Sequence, residues 1–229
     1  MLTKAEGLTR RAQRLVTDRK ALAKEFTPVN ISKDFRANGT RFPTDEDYVA
    51  LLADNFAGYK LVVDGLVEHP MQLTLAQLRA LPSRTQITRH DCVEGWSSIG
   101  KWKGARLGPL LDRAKLKAEA RYIVFHCADT LEQTLDGTGK YYESIDLIDA
   151  YHPQTILAYE MNDATLPVRH GAPLRLRVER QLGYKHAKYV MRIEAVAAFD
   201  AKDANGQAIL GRGNGGFWPD RGYEWYAGI

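Results

Sequence analysis

The run Arg169-His170-Gly171-Ala172-Pro173-Leu174-Arg175-Leu176-Arg177-Val178 poses a folding problem with few solutions. With the two-residue period of a strand, Leu174, Leu176 and Val178 face one way and call for a core, while Arg175 and Arg177 face the other. That second face must meet either water or a bound anion, because a buried charge without a partner is costly. His170 precedes the strand, and Lys185, His186 and Lys188 follow it, so the cationic character continues past its end. Guanidinium forks match the oxygens of a phosphate well. From the residues alone both solutions stay open, a solvated strand face and an anion cradle. A nucleic-acid surface fits less well, since the cluster is short and the formal net charge is only +4.

Around this segment, helical and strand patterns mix without a βαβ rhythm, which predicts an α+β fold. Residues 4–26 carry Leu8, Ala12, Leu15, Val16, Leu22 and Phe26 at helical spacing, so residues 1–29 are expected to form a helical extension ahead of one domain over 30–229. Thr44 and Asp47 predict a capped helix bearing Tyr48, Leu51, Leu52 and Phe56. Strands are expected at Tyr59–Val67, Thr85–Cys92, Arg121–Cys127, 155–161, 173–180 and 187–199, with helices through Leu75 and Leu78 and over Leu107–Leu116. The glycine run 211–216 leads into Phe217-Trp218-Pro219 rather than a helix start, so it reads as a mobile loop and not as a phosphate loop.

The histidines show no H-E-x-x-H spacing and no G-x-S-x-G elbow occurs, which argues against a zinc hydrolase and a serine hydrolase. Two cysteines, Cys92 and Cys127, are neither a disulfide framework nor a zinc pair. Cys92 ends an alternating strand and opens onto Val93-Glu94-Gly95-Trp96, a usual place for an exposed reactive side chain. Arg89 and His90 precede it closely and are expected to favour its thiolate, the metal-binding form. The competing reading is a buried, inert cysteine. No run of eighteen apolar residues is present to span a bilayer, and the N-terminus carries no apolar secretion signal.

The stretch Cys92-Val93-Glu94-Gly95-Trp96, followed by Trp102-Lys103-Gly104-Ala105-Arg106-Leu107, resembles the molybdenum-binding segment of the sulfite oxidase family. Leu157-Ala158-Tyr159-Glu160-Met161-Asn162, continuing through Leu166-Pro167 to His170-Gly171-x-Pro173-x-Arg175 and His186-x-Lys188, is similar to that family's pterin-phosphate segment. The likeness covers about residues 30–229.

The resemblance implies a β-rich molybdopterin-binding fold, a molybdenum–molybdopterin cofactor and two-electron oxo transfer. By position, Cys92 would be the thiolate ligand to the metal. His170, Arg175, His186 and Lys188 would hold the pterin and its phosphate, and Cys127 falls where a small polar residue contacts the cofactor in relatives. The loop Phe35-Arg36-Ala37-Asn38 is similar to one that approaches the pterin, which makes Phe35 and Asn38 cofactor contacts and Arg36 the nearest match to a sulfite-binding arginine. Trp218-x-x-x-x-Tyr223 is similar to a segment with an active-site tyrosine. No counterpart of the dimerisation domain or of a cytochrome domain precedes Ile229, so a monomer fed by a separate cytochrome or membrane haem subunit is expected. Oxidation of sulfite or a related sulfur compound is the leading expectation. Reduction of sulfoxides, as by periplasmic relatives that act on methionine sulfoxide, is the alternative, and a non-catalytic phosphate-ligand module is a third; the relatives imply a periplasmic location.

Overall fold

The computed structural model describes residues 21–134, 139–199 and 213–229. Two five-stranded sheets organise them. The first sets β1 (Lys60–Gly65), β2 (Met71–Thr74), β5 (Tyr122–Thr130), β6 (Lys140–Asp146) and β10 (Val190–Val196) in the order β2-β1-β10-β5-β6. The second sets β3 (Ser83–Asp91) beside β4 (Ser97–Arg106) and β4 beside β7 (Ile156–Met161). Along its other edge β7 pairs with both β8 (Ala164–Thr165) and β9 (Arg175–Arg177). Only β1 and β10 run parallel among these strands. Four short helices, α1 (Glu46–Ala53), α2 (Leu75–Arg79), α3 (Leu107–Ala114) and α4 (Leu147–Ala150), complete the expected α+β architecture.

One apolar core joins the two sheets: Leu61, Phe125 and Ile193 from the first meet Leu157, Leu174 and Leu176 from the second, with Leu110 and Leu111 of α3 packed between. A smaller cluster of Phe35, Trp102, Ile156, Ala158, Met161 and Leu166 packs around Trp102 of β4. Trp102 is the largest fully buried side chain among the described residues.

Several local expectations shift. Asp45 caps α1, accepting a hydrogen bond from the Tyr48 amide at 3.1 Å, so the cap sits one residue later than Thr44. Thr74 and Gln77 do form a capping box on α2. Strand β4 went unforeseen because its inward residues, Ser98, Gly100, Trp102 and Gly104, show little apolar alternation. The expected helix over 4–26 lies mostly outside the described residues. Its last part is extended instead: Glu25 bridges Thr88 and the Phe26 amide donates to the Ile87 carbonyl at 2.8 Å. Gly215 and Gly216, expected in a mobile loop, are buried, and Gly216 bridges Glu143 of β6.

Strand β9 is three residues long rather than eight, yet it keeps the predicted period. Leu174, Leu176 and Val178 enter the main core. Arg175 and Arg177 point the other way and are fully buried, their guanidinium carbons 5.2 and 4.4 Å from the centroid of the Trp102 ring. The solvated-face solution is therefore excluded.

Candidate molybdopterin site

Cys92 sits where β3 gives way to a tight turn. Its amide donates to the Trp96 carbonyl at 2.9 Å, and the Gly95 amide returns to the Cys92 carbonyl at 3.0 Å. Gly95 takes φ +83°, a left-handed conformation that a side chain would disfavour. The turn sets Cys92, 9% exposed, on the wall of a cavity of about 160 Å³ whose lining also includes Asn38, Asp129, Tyr141, His186, Lys188 and Tyr223. Burial holds the Cys92 thiol above its ordinary pKa, and the nearby Glu94 carboxylate works the same way against Arg36. Arg89 does not supply the expected help, because it pairs with Asp91 on the outer face at 2.8 Å. Nor does His90, which burial and Arg175 keep well below its usual pKa and therefore neutral. A bound metal deprotonates a coordinating thiol outright, so the raised pKa does not weigh against a ligand role.

Behind this wall lies a dense group of buried cations and imidazoles. Arg177 is fully partnered: its Nε and Nη2 donate to Glu179 at 2.8 and 2.6 Å, and its Nη1 lies 3.0 Å from Nδ1 of His90. Arg175 donates only Nη1, to the His170 carbonyl at 3.1 Å, while Nε and Nη2 have no protein partner. Burial first, and then the Arg177 charge, lowers its pKa to about 9. An arginine stays protonated in a protein, so that shift measures how strongly the fold disfavours this charge without a counter-ion.

The neighbouring groups repeat the pattern. His170 Nε2 accepts from Arg169 Nε at 3.1 Å, which places the proton on Nδ1, and that buried N–H has no partner. His186 donates Nε2 to the Gln181 carbonyl at 3.0 Å, which leaves Nδ1 as an unused acceptor. Lys188 reaches the carbonyls of Asn38 at 2.7 Å, of Thr40 and of Arg169 at 3.3 Å. Burial and Arg175 push its pKa down, while burial pushes that of Asp129, which shares the cavity wall, up. Asn38 Oδ1 and Asp129 Oδ1 are also buried without partners.

Native structures leave few buried polar atoms unsatisfied, and each one calls for a cause. Here guanidinium and imidazole donors gather with a few acceptors behind a thiol. This is the complement of an anionic heterocycle with mixed hydrogen-bonding edges. The residues present therefore fit a phosphorylated pterin whose metal would be held by Cys92.

The structure brings Cys92, Asn38, His186, Lys188 and Tyr223 to one cavity, with Arg175 and His170 close to Lys188 but outside its lining. Phe35 is buried, its ring 5.7, 5.3 and 5.5 Å from those of His90, Trp102 and His170. Arg36 lies exposed over the Trp96 ring at 5.3 Å rather than in the cavity lining. Cys127 belongs to the main core, and its sulfur is 3.9 Å from the Phe125 carbonyl. Tyr223 is 39% exposed and held by ring contacts with Tyr184 and Trp218 at 5.6 and 5.1 Å. Asp129 and Tyr141 were missed from the sequence, although Asp129 follows Cys127 at strand spacing and so shares its face.

A site of this kind defines a domain built to hold a pterin cofactor. Residues 49–202 match the model of the family described as oxidoreductase molybdopterin binding domain. The chain belongs to that family and, with it, to the sulfite oxidase family of molybdopterin proteins. It is 39% identical over 172 residues to the putative protein-methionine-sulfoxide reductase subunit YedZ1 of Azospira oryzae, a match that covers 75% of this chain and 56% of that protein. It is 33% identical over 168 residues to the protein-methionine-sulfoxide reductase catalytic subunit MsrP of Campylobacter jejuni, covering 69% of this chain and 56% of that one. The matches thus span little more than half the length of these relatives. The sulfane dehydrogenase SoxCD of Paracoccus pantotrophus shares the fold, with a TM-score of 0.54 and 22% identity over 66% of this chain and 43% of that one.

Proposed function

We propose that this chain is the cofactor-bearing part of a molybdenum–pterin oxidoreductase that reduces sulfoxides, rather than one that oxidises sulfite. The observation that carries this reading is the chemistry of the cavity wall. Beside Cys92 it offers Val93, Leu131 and Trp218 together with the carboxylates of Glu94 and Asp129, and among the described residues its lining includes no arginine. A small dianion such as sulfite calls for guanidinium groups at its oxygens. A neutral sulfoxide, apolar at both carbons and an acceptor at its oxygen, suits this wall better. The names of the two relatives point the same way.

In the balanced reaction a sulfoxide takes up an electron pair and a pair of protons; its sulfur–oxygen bond breaks, the sulfur leaves as a thioether and the oxygen as water. When bound, the molybdenum–pterin group would supply the electron pair that the sulfoxide takes up; the protein supplies position, charge and protons. Cys92 furnishes the thiolate. Arg175, His170 and Lys188 hold the anionic end of the cofactor, with His186 as an acceptor. Tyr223, at the cavity mouth, donates its hydroxyl proton in a hydrogen bond to the sulfoxide oxygen. Asp129, whose carboxyl burial keeps protonated to higher pH than usual, holds a proton at the wall. Electrons enter from a separate haem partner, a cytochrome or a membrane subunit, and the setting is the periplasm.

The test uses protein made in a host that synthesises the cofactor. Bound molybdenum, turnover of sulfoxides with a reduced dye, and no turnover of sulfite with an artificial acceptor are the expected results. Sulfite oxidation without sulfoxide reduction would overturn the proposed direction. The Cys92→Ser variant should keep its fold and lose more than ~100-fold in activity, beyond the range reported for outer-shell partners of a metal. Undiminished turnover would remove Cys92 from the metal.

A further inference from the structure

We propose that His90 is a further cofactor-holding residue, donating its Nε2–H to an acceptor atom of the bound pterin. The inference rests on the cofactor reading of this site but not on the substrate. Strand β3 turns Thr88 and His90 inward on alternate positions, and His90 is fully buried. Its Nδ1 lies 3.0 Å from Arg177 Nη1. A guanidinium can only donate, so Nδ1 is the acceptor and the ring proton resides on Nε2. Arg177 is fixed in turn by Glu179 and donates Nη2 to Thr88 Oγ1 at 3.3 Å. Glu179 also receives Gln86 Nε2 at 2.9 Å. The chain Gln86–Glu179–Arg177 therefore sets both the tautomer and the ring orientation of His90, as an outer partner does for a metal-bound histidine.

Everything on the Nδ1 side is satisfied, and the Nε2 side is not. Nε2 is buried and has no protein partner. It faces Gly183, a residue of the cavity lining, where a Cβ would come within 2.6 Å of it. Glycine at 183 thus keeps that nitrogen uncovered. The His186 ring stands 5.0 Å from that of His90 at 80°, and its free Nδ1 is an acceptor. A donor from His90, against Gly183, and an acceptor from His186, whose amide donates to the Gly183 carbonyl at 3.1 Å, therefore stand on neighbouring rings. The pyrimidine edge of a pterin alternates N–H groups with a carbonyl and ring nitrogens, so this pair is the protein half of such an edge. A histidine kept only for packing would need neither an imposed tautomer nor an uncovered N–H.

The test compares wild type, His90→Phe and His90→Gln purified from a cofactor-competent host, with molybdenum and pterin measured per chain and melting followed for the cofactor-free forms. Phenylalanine keeps the ring volume and removes both nitrogens, whereas glutamine can return an N–H close to the Nε2 position. His90→Phe should retain less than a tenth of the wild-type cofactor while melting close to wild type, and His90→Gln at least half. Equal loading of His90→Phe and wild type would overturn the proposal. Should His90→Phe fail to fold, ¹⁵N spectra of wild type decide. The Nε2-protonated tautomer should appear in both forms, with the Nε2–H resonance shifting and its solvent exchange slowing on cofactor loading. An Nδ1-protonated ring, or an Nε2–H signal indifferent to loading, overturns the assignment. Wild-type protein carrying no pterin would overturn the cofactor reading itself, and this inference with it, which separates the two failures.

Discussion

Arg177 and Arg175 stand two residues apart on β9, both fully buried and both against the ring of Trp102, yet they anchor opposite kinds of polar cluster. Around Arg177 the charges close on themselves: Glu179 takes two of its donors, and Gln86, Thr88 and His90 complete the set. Around Arg175 they stay open, with two guanidinium nitrogens and Nδ1 of His170 left over. A closed cluster is structure, holding neighbouring side chains in one arrangement. An open one is an interaction the fold has prepared but does not itself complete, and it identifies the ligand by what is missing. In this molecule the missing element is negative charge.

The largest expected effect separates the two arginines. Arg175→Met removes a buried cation that has no counter-ion, so the cofactor-free protein should be no less stable than wild type. The same change should lower molybdenum and pterin content by more than about tenfold, because a charge-assisted anchor contributes roughly 1.5–3 kcal/mol. Metal analysis alongside a thermal melt checks both halves. A variant that keeps its cofactor would break the comparison.

On the closed side the expected loss is in stability. Glu179→Gln leaves the Arg177 charge buried without a carboxylate, which costs about 3–5 kcal/mol. Chemical denaturation of the cofactor-free protein measures it, and a change below about 1 kcal/mol would mean the pair is not the support described here. His170 offers a third contrast, through pH. Burial first, and then Arg175, lowers its folded pKa from 6.5 to about 3. The unfolded chain therefore binds the extra proton between those values while the folded protein does not, so stability falls as pH drops from about 6.5 towards 3. His170→Asn should flatten that decline by ~1–3 kcal/mol in the cofactor-free protein, read from denaturation midpoints at pH 7 and pH 4. An unchanged pH slope would show that His170 does not share the electrostatic burden of the open cluster.

How much of this could be read beforehand follows the same division. The cysteine at a strand end and the arginines on one face of β9 were legible, because period two and side-chain chemistry act locally. Which arginine is spoken for was not, since Arg175 and Arg177 look alike until Glu179, one strand period beyond Arg177, is seen to fold back on its neighbour. Strand β4 hid because Trp102 is the one large apolar residue among the serine and glycines of its inner face, so no apolar alternation shows. Residues Leu22 and Phe26, four apart, mimicked a helix, although the segment lies along β3. The roles of His90 and Asp129 depend on which atoms the tertiary fold leaves uncovered, and no spacing rule carries that information.

The smallest expected effect belongs to Tyr223, which stands at the mouth of the cavity, outside both clusters. Its side chain is held through ring contacts with Tyr184 and Trp218, and it remains partly exposed. Its hydroxyl is therefore free to meet a substrate, but removing it uncovers no buried charge. Tyr223→Phe should leave cofactor content and melting temperature unchanged and lower sulfoxide turnover by about three- to tenfold, the effect of one neutral hydrogen bond of ~1 kcal/mol. If the loss lies in kcat rather than KM, that bond strengthens as the sulfur–oxygen bond breaks, and if it lies in KM alone, the tyrosine only helps seat the substrate. A variant that loses cofactor instead would make Tyr223 part of the open cluster and move the boundary between holding the pterin and handling the substrate.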